Sequence, residues 1–144
     1  MPPNDRATLE VCIDDIAGLK TCQGRVDRIE LCSALGVGGL TPSVGLMNAA
    51  HHSTAPVHAM IRPRVGSFEY SQDEIDNAIA DIQAVQVAGL AGIVIGATIG
   101  DQLDIATLRH LKTAAGRLDC TLHRAIDLLP DPIAAMEQVI DLGF

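Results

Sequence analysis

The sequence predicts an α/β fold, namely a parallel (β/α)8 barrel of the TIM type. Residues 1–144 contain about five of its β/α units and form a single partial barrel domain. Short apolar segments alternate five times with longer segments of helical periodicity, which is typical of a parallel sheet with helices outside it. Hydrophobic residues make up 48% of the chain and aromatic residues only 2%, so the core must consist of aliphatic side chains, as in strands covered by helices.

The predicted strands are short segments in which aliphatic residues predominate or alternate with polar ones, and each is bounded by loop residues. They cover residues 9–14, 28–32, 56–61, 92–96 and 120–123. A glycine-rich loop, residues 36–39, follows the second strand, and it matches neither the Walker pattern nor the dinucleotide-binding pattern of glycines.

The helices between these strands are predicted from apolar spacing and from residues that favour helix ends. They cover residues 15–24, 42–52, 71–89, a segment opening at 104, and 131–142. Thr41 is the predicted cap of the second helix, with Pro42 at its first position. Ser71 and Glu74 form a capping box for the third helix, and Pro132 opens the last one.

Each predicted strand has one apolar face and one polar or mixed face, because side chains alternate along a strand. The polar-face residues are Glu10, Cys12, Asp14, Arg28, Glu30, Cys32, His58, Met60, Arg62, Thr121 and His123. A doubly wound sheet covers both faces with helices and is apolar on both, whereas a barrel can be polar inside its carboxyl-terminal mouth. The polar face therefore favours the barrel and predicts a site at that mouth. The alternative is a structural polar core.

The net charge of −8 argues against nucleic acids and anionic membranes as partners, because both attract clustered basic residues. The sequence contains no apolar stretch of membrane-spanning length and no signal-peptide pattern at its start. We therefore expect a cytoplasmic protein whose four cysteines are free thiols.

Two cysteines on neighbouring strands suggest a metal site. Cys12 and Cys32 are predicted at equivalent positions, and adjacent strands lie about 4.8 Å apart. Two thiolates at that spacing can bind Cu(I) in near-linear geometry. The alternative is that both are inert buried thiols, which are common in protein cores.

A second cluster suggests a site for a small anion. Arg62 and Arg64 leave the third strand together, and guanidinium groups suit carboxylate or phosphate; the alternative is a loop ion pair. His123 ends the fifth strand and is a candidate general acid or base, oriented by Glu30 or Asp127. These residues suit lyase, aldolase or isomerase chemistry, among which the sequence does not choose.

Several segments together resemble the copper homeostasis family CutC, in order and with matching spacing. They are residues 9–12 (Leu-Glu-Val-Cys), 27–35, 38–43, 56–64 and 122–125, together with Asp127. The resemblance implies a TIM-like barrel, a cytoplasmic location, a role in copper handling, and Cys12 and Cys32 as Cu(I) ligands. It also implies a polar cluster at the barrel mouth. That cluster comprises Glu10, Arg28, Glu30, His58, Arg62, Arg64, His123, Arg124 and Asp127.

The chain departs from that family in two acidic positions and in length. Val37 and Ser67 stand where the family usually has acidic residues, and family members continue into further strands. Five units cannot close an eight-stranded barrel, and open edge strands tend to pair. We therefore expect either a piece of a longer chain or a homo-oligomer. A partner-binding fragment without chemistry is a third functional hypothesis, beside the Cu(I) protein and the enzyme.

Overall fold

The computed structural model describes residues 6–144 and contains seven strands in that range. Five form one parallel sheet in the order β1-β2-β3-β4-β7, and two form a small antiparallel hairpin. The strands are β1 (Glu10–Ile13), β2 (Arg28–Leu31), β3 (Val57–Met60), β4 (Gly92–Ile95), β5 (Thr98–Ile99), β6 (Gln102–Leu103) and β7 (Asp119–Leu122). The five parallel strands confirm the predicted partial TIM-like fold, whereas the sequence did not predict the hairpin.

Helices connect the parallel strands. They are α1 (Ile16–Cys22), α2 (Val44–Ala50), α3 (Gln72–Ala88), α4 (Ile105–Ala115) and α5 (Pro132–Asp141). Short 3₁₀ segments follow β2 at Leu35–Val37 and β7 at Arg124–Leu128. In the part of the chain described, every helix is too short or too polar to cross a membrane.

The observed helix caps explain where two of the helices begin. Ser71 accepts from the amide of Glu74, whose side chain returns the bond, so the predicted capping box is confirmed. Thr41 does not cap α2, and that prediction was wrong. Ser43 accepts from the Leu46 amide instead, while the Thr41 hydroxyl accepts from the Arg62 amide and ties the loop to the end of β3.

The main core lies between one face of the sheet and the helices. Ile29, Leu31 and Ile93 are fully buried there, against Ile82 of α3 and Leu108 of α4. The opposite, concave face carries only a small apolar cluster around Cys32, Met60 and Val94. The sheet therefore has one apolar and one mixed face, as strand alternation predicts for a barrel wall.

The strand register corrects the predicted cysteine geometry. Cys12 is paired with Glu30, not with Cys32, and Cys32 lies two residues farther along its strand. The prediction that the two cysteines occupy equivalent positions was wrong, because a parallel register is fixed by packing rather than by the spacing of residues within each strand.

Candidate functional site

A cavity of about 210 Å³ lies on the concave face near the carboxyl ends of the strands. Its lining residues come from three strands, β2, β3 and β7, and the segments after them. They are Glu30, Gly38, Met60, Arg62, Phe68, His123 and Arg124. A neighbouring cavity of about 370 Å³ shares Arg62, Phe68 and Arg124, and Asp127 lines it too. Active sites of TIM barrels form at this end, so the position is typical of a functional site.

Arg62 is the buried cation of this cavity, since only 4% of its surface is exposed. Its Nη1 donates to the carbonyls of Val37 and Gly39, both at 3.2 Å, and its Nη2 donates to Gly66 at 3.1 Å. The Nε atom is buried without a hydrogen-bond partner. Within residues 6–144 no carboxylate forms an ion pair with Arg62, so its charge is available to an anion.

The glycine-rich loop lets the backbone approach the two arginines. Gly38 has φ +94°, and a Cβ there would collide with the guanidinium of Arg124 and lie 3.2 Å from Arg62 Nη1. A larger residue at this position would thus combine an unfavourable backbone conformation with steric overlap. The loop supports Arg62 through the carbonyl groups of Val37 and Gly39.

His123 supplies a second buried donor. Its Nδ1 accepts a hydrogen bond from the Ala125 amide at 3.1 Å, so in the neutral ring the proton resides on Nε2. That Nε2 is buried without a partner, and the ring packs on Phe68 with 4.6 Å between centroids. The Ala125 amide therefore orients the ring, and within residues 6–144 no hydrogen bond joins it to Glu30 or Asp127, whose predicted orienting role stays a prediction.

Burial and neighbouring charges keep His123 neutral. Loss of hydration lowers the pKa of its imidazole to about 4, and the positive charges of Arg62 and Arg124 act in the same direction. At neutral pH the ring is therefore a neutral N–H donor rather than a cation. Gly96 makes room for the ring, because a Cβ there would lie 2.8 Å from Nε2 and closer still to other ring atoms.

The two cysteines flank Glu30 and are protonated at neutral pH. Cys32 is fully buried with its Sγ 3.7 Å from Glu30 Oε1, whereas Cys12 is exposed. Although Cys12 is exposed, partial loss of hydration and the charge of Glu30 raise the pKa of its thiol to about 11, and full burial together with Glu30 raises the pKa of Cys32 further. Among residues 6–144 no three or more His, Cys, Asp or Glu side chains form a group suited to a metal ion.

Three other predicted site residues lie deeper in the concave face. Glu10 forms an ion pair with Arg28 between β1 and β2. His58 contacts Thr121 at 3.4 Å and Asp119 at 3.8 Å, and its pKa is lowered by burial and by Arg28. The polar groups of these three residues have partners within the protein, and the residues do not line the cavity.

Arg64 also lies outside the cavity. It forms an ion pair with Glu74 of α3 and donates to the carbonyls of Val65, Ser67 and Glu69. The structure thus brings Arg62, Arg124, His123 and Glu30 together, and it places Arg64 in the loop ion pair that was the alternative interpretation.

Several residues of the site were not predicted from the sequence. Phe68 lies in the long loop after β3, where no periodicity shows which side chain faces inward. Ala125 and Gly66 act through backbone groups, which the residue type does not reveal. The unusual density of glycines after β2 was the available signal for Gly38, although its role could not be derived from it.

Comparison with known proteins gives consistent results. The CutC family model matches residues 7–144. A CutC family protein of Rhizobium meliloti is 52% identical over 141 residues, covering 96% of this chain and 58% of the relative. One from Agrobacterium fabrum is 51% identical over 138 residues, covering 94% of this chain and 55% of the relative. The chain thus spans somewhat more than half the length of these curated relatives.

A solved structure shows the same arrangement. The crystal structure of CutC from Streptococcus agalactiae, whose name provisionally assigns it to copper homeostasis, has a TM-score of 0.90 to this chain at 30% identity. The match covers 96% of this chain and 70% of the other. The parallel sheet and its flanking helices are therefore shared with that protein.

Proposed function

The chain belongs to the CutC family, and we propose that its strand-end cavity binds a small anionic substrate and acts on it as an enzyme of the lyase or isomerase type. One observation carries this proposal: Arg62 Nε and His123 Nε2 are both buried, both lack a partner and belong to side chains lining the same cavity. Buried donors without acceptors are rare and costly, so an acceptor from a ligand accounts for both.

The charges indicate what the ligand offers. Arg62 and Arg124 are the cations of the cavity, and guanidinium groups bind carboxylate or phosphate oxygens with several directed hydrogen bonds. The neutral imidazole of His123 adds a donor without adding charge. A neutral N–H aimed at an oxygen that becomes negative during a reaction stabilises that charge, as donors in oxyanion holes do.

Titration with inorganic phosphate and with propanoate tests this proposal. We expect saturable binding of at least one anion to the wild type, and a loss of affinity of fivefold or more in Arg124→Gln, because one cation of the cavity is removed. Arg109→Gln is the matched control, since Arg109 is exposed on α4 away from the cavity. Absence of binding by both anions to folded wild type, or equal losses in the two variants, would contradict the proposal.

Cu(I) binding by Cys12 and Cys32 is a second candidate. Its support is the family's association with copper homeostasis and the proximity of the two thiols, since the charge of Cys12 acts on the pKa of Cys32. Thiolates are the species that bind Cu(I), and thiols with raised pKa values must lose protons to do so. The proposed cofactor is therefore Cu(I), bound more tightly as the pH rises.

Copper stoichiometry under reducing conditions tests this candidate. It predicts one Cu(I) per chain, lost in Cys12→Ser and in Cys32→Ser, with affinity increasing between pH 6 and pH 8. Cys120→Ser is a matched control because Cys120 packs on the opposite, helix-covered face. Unchanged stoichiometry in the Cys12/Cys32 double variant would exclude these ligands.

We also propose that the protein is cytoplasmic and forms a homo-oligomer. A cytoplasmic location is supported by the four free cysteines, and a homo-oligomer by the outer strands β1 and β7, each of which has one sheet neighbour within residues 6–144. Unpaired strand edges favour association with another chain or with a further segment.

A further inference from the structure

Glu30 is the carboxylate of the cavity that lacks a cationic partner. In the described part of the chain it forms no ion pair, and its hydrogen-bonding contact is the weak thiol donor of Cys32 at 3.7 Å. Arg28, the cation on the same strand and face, is already paired with Glu10. A half-buried carboxylate needs stronger donors than a thiol to offset its lost hydration.

Glu30 and the anion-binding donors occupy different positions along their strands. Glu30 is aligned with His58 of β3, and His58 is aligned with Gly92 and then with Asp119. Arg62 and His123 each lie four residues farther along the chain than His58 and Asp119. Four residues of strand correspond to about 13 Å along the strand direction, a separation that the long Glu and Arg side chains shorten.

The cavity therefore combines donors with an acceptor that comes from another strand. Arg62, Arg124 and His123 are the donors, Glu30 is the acceptor, and the apolar side chains of Met60 and Phe68 also line it. Its volume of about 210 Å³ is well above the space that one water molecule needs. This space suits a compact metabolite with different groups at its two ends.

We propose that the ligand is a small anion carrying a hydroxyl or ammonium group, with the anionic end at Arg62, Arg124 and His123 and the hydroxyl or ammonium donating to Glu30. This inference rests on the proposed anion binding and narrows its substrate class. A simple anion leaves Glu30 without a donor, whereas a ligand bearing both groups satisfies both ends of the cavity.

Carboxylates that differ only in their far end test the inference. The probes are propanoate, 3-hydroxypropanoate and 3-aminopropanoate, with the four-carbon series as a check on length. We expect the hydroxyl or the ammonium acid to bind the wild type at least tenfold more tightly than the unsubstituted acid. In Glu30→Leu this preference should fall below twofold, while propanoate binds as well as before or better.

Glu30→Gln distinguishes a hydroxyl donor on the ligand from an ammonium donor, and it replaces Glu30→Leu in the test if that variant does not fold. It keeps an oxygen acceptor but removes the charge, so an ammonium preference should disappear and a hydroxyl preference should persist in part. Glu137→Gln, exposed on α5, is the charge-matched control.

The outcomes distinguish this inference from the proposed function. Equal affinity of the wild type for substituted and unsubstituted acids in both series would overturn the inference and leave anion binding intact. A preference that survives in Glu30→Leu would overturn the role of Glu30. Failure of every carboxylate to bind would overturn the inference, and failure of phosphate as well would overturn the proposed function too.

Discussion

Replacement of Arg62 by Met is expected to abolish anion binding and to lower the free energy of unfolding by about 3 kcal/mol. The side chain donates to three carbonyls, those of Val37, Gly39 and Gly66, and each hydrogen bond contributes about 1 kcal/mol. The variant also loses the contact of the guanidinium group with Phe68, in which the guanidinium carbon lies 5.0 Å from the ring centroid. Chemical denaturation and anion titration of the same preparation measure both effects.

Arg64→Met is the matched control for this prediction, because Arg64 makes a similar number of polar contacts two residues away. Its side chain is more exposed, so water replaces those contacts, and we expect a much smaller loss of stability with anion affinity unchanged. If Arg62→Met does not fold, Arg62→Lys keeps the charge and should still lose tenfold or more in anion affinity. Equal effects at the two positions would contradict the assigned role of Arg62.

Acidification is expected to destabilise the protein through His123. The pKa of its imidazole falls from 6.5, its usual value, to about 4 on folding, so the unfolded chain binds a proton more readily than the native one. This contribution to stability is complete above pH 6.5 and is lost as the pH falls toward 4. Since one pKa unit corresponds to 1.36 kcal/mol, the loss between pH 7 and pH 4.5 is about 2 kcal/mol.

Comparison with His123→Gln isolates this contribution, because other groups titrate equally in both proteins. Over the same pH range, the free energy of unfolding of the variant should decrease by about 2 kcal/mol less than that of the wild type. Parallel pH dependences of the two proteins would show that His123 is not held neutral by burial.

The sequence was sufficient to predict the sheet and the inward-facing residues of its strands. The alternation along β1, β2, β3 and β7 follows from the two-residue period of a strand, so Cys12, Glu30 and His123 were placed on the correct face. The strand register was not predictable in the same way, because it depends on how the strands pack. That is why Cys12 was matched with Cys32 instead of Glu30.

The loop after β3 shows a second limit. Arg62 and Arg64 are the same residue type two positions apart, yet one is buried at the cavity and the other is paired with Glu74. Beyond the end of a strand no periodicity determines which side chain turns inward. The roles of backbone groups cannot be predicted from residue types either. The Ala125 amide fixes the His123 tautomer, and an alanine at that position does not indicate this role.

NMR spectroscopy of the ¹⁵N-labelled histidine side chains during titration with phosphate and with propanoate tests whether His123 is a neutral donor to a bound anion. We expect His123 to be neutral at pH 7 with its proton on Nε2, and at least one anion to shift this Nε2–H resonance to saturation. A protonated ring at pH 7, or an Nε2–H resonance that neither anion moves, would contradict the role of His123 in anion binding.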